Sequence, residues 1–278
     1  MSWPAFLTFL LIAPAAFLAS HRGGGGRRGP LLSASLLTGL LLAAGLRHAP
    51  LLEARLLDPA LYAHARPWLA FLLALAFLGS AMPQLPERRR RLALGGLALF
   101  LFGLVSERSL RALLVPADTF QGEACSELGS VPQSTAFSCG AAASATLLNQ
   151  HGIPATEREM VRRCLTSSFL GTDEVGVLKG LGEVLEGRPA RAELRGIEAD
   201  ELHRAPLPAM ARLVYGPLSG HWVVVRTCAG GVVELLDPLV AAGPSSGPTT
   251  LSLESFTELY DGVVVVIVDD QRTAASGG

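Results

Sequence analysis

Four stretches in the first 115 residues carry almost no charge, at residues 3–19, 30–46, 67–82 and 92–105. A helix that is apolar on every side has no face to present to water, so such segments belong in a bilayer or deep in a large core. Buried helices of a soluble domain would show a polar stripe every three to four residues, and these stretches lack one. A bilayer span takes about 20 residues, with a range of about 17–25. The first three stretches are therefore of marginal length, and the fourth suffices only if its helix runs past Ser106. The expectation is a bundle of about four transmembrane helices over residues 1–115.

The chain starts Met1-Ser2-Trp3-Pro4, without the basic residues that precede a cleaved signal segment, and Arg22, Arg27 and Arg28 follow the first stretch. An uncleaved anchor fits that order. Orientation follows from basic residues in the loops: Arg22, Arg27, Arg28 and residues 88–91 lie on one side. Arg47, Arg55, Arg66, Arg108 and Arg111 lie on the other. Seven against five favours a cytoplasmic first and third loop, which puts the N-terminus and everything after the fourth stretch on the outer face. The expected location is an inner membrane of bacterial type, with the C-terminal half on the extracytoplasmic side.

Half of the 278 residues are hydrophobic, 17% are charged and the net charge is -1, so no global field invites a nucleic-acid partner. Lys179 is the sole lysine and is followed by Gly180, which excludes a phosphate-binding loop of the G-x-x-x-x-G-K-[ST] type. Any coupled transporter would be a separate chain. The four cysteines, Cys125, Cys139, Cys164 and Cys228, contain no C-x-x-C pair. Neither a structural zinc site nor any other metal or cofactor is expected.

From residue 116 to about 270 the pattern changes to short alternating runs, turn residues and one clear helix, the pattern of a globular domain. Residues 271–278 read as a disordered tail. The small residues Ala141, Ala142, Ala143 and Ala145 follow Cys139 and lead into Leu147 and Leu148, with Gly152 as terminator. Cys139 is thus placed at a helix N-terminus, with Ser138 as N-cap, where orphan N–H groups and the helix dipole favour a thiolate. A thiolate nucleophile needs a base, and the base an orienting group. His221 opens the run His221-Trp222-Val223-Val224-Val225 after Gly220, which reads as a strand starting at a turn. The next strand, residues 231–236, ends at Asp237-Pro238. Antiparallel pairing of the two places the start of one beside the end of the other, and so His221 beside Asp237. His151, next to a helix terminus, and His203, in a polar segment, are weaker candidates for the base. Asp237 also has a plain use in starting a turn with Pro238.

Three separated blocks then carry a likeness: Gln133 with Cys139-Gly140-Ala141 six positions on, Gly220-His221-Trp222-Val223-Val224-Val225, and Leu236-Asp237-Pro238. Over residues 131–268 the chain resembles the double-glycine peptidase family, which processes bacteriocin leaders and belongs to the papain-like cysteine proteases. The resemblance implies an α+β domain, with a helical lobe packed on an antiparallel sheet and the site in the cleft between them. It implies Cys139 as nucleophile, His221 as general base, Asp237 as orienting carboxylate and Gln133 as oxyanion donor. Residues 156–181, with Thr166, Gly171 and Thr172, resemble the family's helical lobe. The implied function is a membrane-anchored cysteine peptidase acting on a peptide or protein substrate, with the bilayer as a further partner. Two other readings use the same fold: a peptide-binding module that does not cut, and an acyltransferase or amidase working through the same thioester. Outside the cytoplasm Cys125 and Cys164 would be able to form a disulfide, leaving Cys139 free.

Overall fold

The structure is a computed structural model that describes residues 19, 29–46, 49–56, 58–84, 92, 94–97, 99, 119–122, 129–168, 171–216, 219–240 and 247–269. The chain divides into two compact units, Met1–Leu113 and Leu114–Gly278.

In the first unit, α1 (Gly29–Leu46), α2 (Pro50–Leu56) and α3 (Pro59–Ala81) are helical, and α1 packs against α3. A 2.8 Å hydrogen bond between the buried Ser33 and Ser80 hydroxyls joins those two helices. Among the described residues no helix is long and apolar enough to cross a membrane, which corrects the expectation of full spans at residues 30–46 and 67–82. The 18 residues of α1 rise about 27 Å, at the short end of what a span takes. Helix α3 has 23 residues but carries His64 and Arg66 in its first two turns, leaving an uncharged run from Pro67 that rises only about 22 Å. The stretch at residues 3–18, most of that at 92–105, the arginines at 88–91 and the tail at 271–278 lie outside the described residues.

The second unit is an α+β domain. Its helices are α4 (Cys139–Gln150), α5 (Glu157–Arg163) and α6 (Glu174–Leu185). They precede a six-stranded sheet of β1 (Ala190–Gly196), β2 (Ala209–Gly216), β3 (Ser219–Ala229), β4 (Val232–Leu236), β5 (Thr249–Ser252) and β6 (Tyr260–Asp269), with α7 (Leu253–Leu259) before the last strand. The spatial order is β1-β6-β2-β3-β4-β5, and every pairing is antiparallel. Valines dominate β3 and β6, and their branched side chains suit a pleated, buried surface.

Both faces of this sheet are covered, so its central strands are apolar without alternation. One face packs with α7 through Ala209, Ala211, Leu213, Val223, Val225, Val264, Val266 and Phe256. The alternate residues face the helical lobe: Met210 lies 3.6 Å from the Ser144 hydroxyl of α4, and Trp222 abuts Gly140. Helix α4 fits against β3 because its first turns are small residues, with Ala141, Ala142, Ala143 and Ala145 fully buried.

Cys164 is a free thiol, not half of a disulfide. It retains 1% of its surface and packs under α6, where a Cβ added at Gly180 would meet its Sγ at 2.3 Å. Burial pushes the thiol up to about 12. A sulfur enclosed between helices offers no approach to a partner, and Cys125 lies outside the described residues.

The tightest point of the lobe contact is Gly140. A Cβ there would sit 2.7 Å from Thr172 Cβ and 3.0 Å from Trp222 Cδ1, and neither atom lies at the end of a flexible chain. Gly140→Ala is therefore expected to lower unfolding stability by about 1–3 kcal/mol through overpacking. Urea denaturation followed by Trp222 fluorescence measures it, and unchanged stability would mean the seam is looser than this.

Candidate active site

Cys139 is the first residue of α4, so its N–H and those of the next turn have no intrahelical acceptor. Ser138 occupies the N-cap position expected for it, yet its hydroxyl makes no bond to the helix. It is spent on the preceding turn instead, accepting from Thr135 N–H at 3.1 Å and lying 3.0 Å from Thr135 O. The turn before the cysteine is thus locked from within, and the helix N–H groups stay open. Cys139 keeps 7% of its surface, enough for a narrow approach from the cleft.

The antiparallel pairing of β3 with β4 runs Val225↔Leu235 and Val224↔Leu236, which carries the next residue, Asp237, toward the start of β3. His221 Nε2 and Asp237 Oδ1 are 2.7 Å apart. That contact leaves Nδ1 as the remaining ring nitrogen, and Cys139 is among the neighbours that raise the ring's pKa. Burial on its own would lower the His221 pKa, but the bonds to Asp237 and Cys139 and their charges outweigh it and push it up to about 9. Asp237 also starts a turn, since its Oδ1 accepts from Leu239 N–H at 2.8 Å. One carboxylate oxygen therefore shapes the loop and holds the ring.

Gln133 reaches the same place through the backbone: its N–H donates to Pro238 O at 3.0 Å. Its side-chain Nε2 gives one N–H to Thr135 O at 2.8 Å, and its buried Oε1 has no hydrogen-bond partner. The second N–H of that amide has no other acceptor. His151 and His203 stand elsewhere, His151 at the opposite end of α4 from Cys139 and His203 against Asp200 O at 2.7 Å.

Residues to which the sequence assigned no part in the chemistry complete the surroundings. Trp222, beside the imidazole in sequence, donates its indole N–H to Thr172 O at 2.9 Å, while Thr172 hydrogen-bonds Thr166 at 2.7 Å. The residue after Cys139 and the residue after His221 are thereby pressed together. Arg212 pairs with both Glu174 on α6 and Asp261 on β6, the latter at 2.5 Å. Tyr215, 57% exposed, stands 6.4 Å from His221 between ring centroids. Nothing in the run Ala209–Gly216 marks Tyr215 as lying beside an imidazole, because the strand reads only as apolar.

A free thiol at a helix terminus against an imidazole, between a helical lobe and an antiparallel sheet, defines the class of papain-like cysteine peptidases. Residues 128–272, just over half of the chain, match the peptidase C39 family, and the chain belongs to that family of cysteine peptidases. It is 30% identical over 138 residues to a protein of Methanothermobacter thermautotrophicus, covering 49% of this chain and 86% of that one. It is 28% identical over 142 residues to the probable functional amyloid protease FapD of Pseudomonas aeruginosa, covering 50% of this chain and 59% of FapD. Among solved structures it is similar to the peptidase domain of Streptococcus ComA, a bifunctional ABC transporter of a quorum-sensing pathway. The TM-score is 0.42 and the identity 18%, over 49% of this chain and 95% of that one. It is also similar to a double-glycine-motif protease from an AMS/PCAT transporter in complex with its leader peptide. There the TM-score is 0.41 and the identity 22%, over 53% and 94% of the two chains.

The raised His221 pKa has a direct test. Its imidazolium should persist to about pH 9 and be lost as pH rises through that value. Asp237→Ala removes a contact that raises it, so the ring should titrate lower, toward the ordinary value of about 6.5. An NMR titration of His221 in both proteins reads the shift, and an unmoved midpoint would dissociate the ring from the carboxylate.

Proposed function

We propose that this peptidase cleaves peptide bonds with Cys139 as nucleophile, His221 as its proton partner, Asp237 as the group that orients His221, and Gln133 as oxyanion donor. The observation that carries the reading is the 2.7 Å contact between His221 and Asp237, with Gln133 tied to the residue after Asp237 and Cys139 opening α4. An imidazolium beside the thiol and the open N–H groups of α4 both favour a thiolate.

The thiolate attacks the scissile carbonyl carbon, forming a C–S bond as the carbonyl π electrons move onto oxygen. That oxyanion is met by the second N–H of the Gln133 amide and by the Cys139 backbone N–H. As the intermediate collapses the C–N bond breaks, and His221 gives its proton to the departing amine. The neutral imidazole then takes a proton from water, whose oxygen attacks the thioester. Collapse releases the carboxylic acid product, and Cys139 returns as thiolate beside imidazolium.

The substrate in this reading is a peptide or protein chain, supplied by or destined for a separate transporter chain. In the same proposal the N-terminal unit attaches the peptidase to a bilayer through apolar helices of which neither α1 nor α3 is by itself a full span, with the C-terminal unit on the extracytoplasmic side. Support for that attachment is the uncharged sequence of α1 and of α3 from Pro67 onward, with basic residues concentrated in the first and third loops. Alkaline carbonate should leave the full chain in the membrane pellet, and protease added to cells with a permeable outer envelope should reach the C-terminal unit. Release by carbonate, or protection until the inner membrane is broken, would contradict the attachment or the orientation respectively.

Gln133→Ala should lower kcat by about 10²- to 10³-fold with KM little changed, because the lost donor acts on charge that develops in the transition state. Alkylation of Cys139 should continue at the wild-type rate. A Gln133→Ala enzyme with normal kcat would remove Gln133 from the chemistry.

A further inference from the structure

Glu157, the first residue of α5, is fully buried, and among the described residues no cation lies within ion-pairing distance of it. A carboxylate enclosed without a cation is costly unless hydrogen bonds replace its lost water. Here they come from two loops. Ser134 N–H donates to Oε1 at 2.7 Å, the Ser134 hydroxyl donates to Oε2, and Gly122 N–H donates to Oε2 at 3.0 Å. Glu157 N–H returns a bond to Gly122 O at 3.0 Å, and Gln121 N–H donates to the Ser134 hydroxyl at 2.9 Å.

The loops are pressed close at this point. A Cβ added at Gly122 would lie 2.2 Å from Pro132 O and 2.8 Å from Glu157 Oε2, so no other residue fits. An apolar residue of the same volume would fill the space as well as Glu157 does. What it would not do is fix the backbone at residues 132–134.

Gln133 sits in the middle of that stretch. Its own N–H is held by Pro238 O on the sheet side, and the next N–H, that of Ser134, is held by Glu157 on the helix side. Because Gln133 Oε1 has no partner, the amide is not steadied through that atom. Its position follows from the backbone beneath it and from the bond to Thr135 O.

We propose that Glu157 is a positioning residue for the oxyanion donor: its carboxylate clamps Ser134 and thereby sets where the Gln133 amide points. This rests on the reading of Gln133 as the oxyanion donor. Glu157 touches neither the substrate nor Cys139, so its effect should appear only in the step that Gln133 serves.

The test is a cycle in the full-length protein, comparing wild type, Ser134→Ala, Gln133→Ala and the double variant. Each is measured for kcat, KM and the alkylation rate of Cys139 with iodoacetamide. Glu157→Gln is measured beside them; Ser134→Ala removes the hydroxyl donor to Glu157 but keeps the Ser134 N–H bond and the carboxylate, which keeps the test readable should Glu157→Gln fail to fold. Ser134→Ala is expected to lower kcat about 5- to 20-fold, since small misplacement of a catalytic group is costly. KM and the alkylation rate should stay within about twofold, and Ser134→Thr should restore kcat. In the Gln133→Ala background the Ser134→Ala effect should vanish, because residues acting through one another are not additive. An equal loss in both backgrounds, slowed alkylation, or a normal kcat in Ser134→Ala together with a folded Glu157→Gln of normal kcat would show that Glu157 only stabilises the fold and would overturn the proposal. A normal kcat in Gln133→Ala alone would instead overturn the oxyanion reading, and this proposal with it.

Discussion

The 2.7 Å contact between His221 Nε2 and Asp237 Oδ1 is the interaction on which the rest of the site depends. It holds the imidazole through Nε2 and leaves Nδ1 as the other ring nitrogen. The same carboxylate oxygen accepts from Leu239 N–H, so the turn that ends β4 and the ring at the start of β3 share one acceptor. Pro238, inside that turn, holds the N–H of Gln133. Displacing Asp237 would therefore disturb the imidazole, the turn and the approach of Gln133 together. These groups are far apart in sequence and converge on three consecutive positions, Asp237, Pro238 and Leu239.

A second constraint keeps the two lobes in register. Cys139 belongs to a helix and His221 to a strand, and nothing covalent aligns them. Alignment comes from Gly140 and Trp222, the residues that follow each of them, which meet at a spacing that admits no Cβ. Thr172 completes the clamp by accepting the indole N–H, and Arg212 adds ion pairs between β2, α6 and β6. Packed seams of this kind do not deform continuously, because an interior at close-packed density transmits a shift instead of absorbing it. A thiol and an imidazole held by such a seam are pre-positioned before any substrate enters, which is what proximity in catalysis requires.

Much of this was legible in the chain because the signals were local. The alanine-rich run after Cys139 dictated a helix, the valine run after His221 dictated a strand, and the short connection between β3 and β4 dictated antiparallel pairing. Those three features together imply the His221–Asp237 contact without any knowledge of the remaining fold. Glu157 and Tyr215 gave no such signal. Their roles come from contacts across long separations, such as the one from Glu157 to Gly122, which leave no periodicity to read. Ser138 shows the limit of a local rule: its position at the helix start is the expected one, but a competing turn captured its hydroxyl. The apolar N-terminal stretches show another limit, since a lack of charge marks a segment as avoiding water without fixing how long its helix will be. Cys164 escaped for a related reason: a cysteine count carries no information about whether helices close around a sulfur.

In the proposed mechanism Cys139 is a nucleophile made reactive by His221. Its most direct measurement is to treat the full-length protein at neutral pH with a peptide-based epoxide or vinyl sulfone, which reacts only with an active-site thiolate, and to map the modified residue by mass spectrometry. The same treatment is applied to His221→Ala. The account predicts stoichiometric modification at Cys139 alone in the wild type, and loss of that modification, by about 10²-fold or more in rate, without the imidazole. Modification spread over Cys228 and Cys139, or an unchanged rate in His221→Ala, would contradict it.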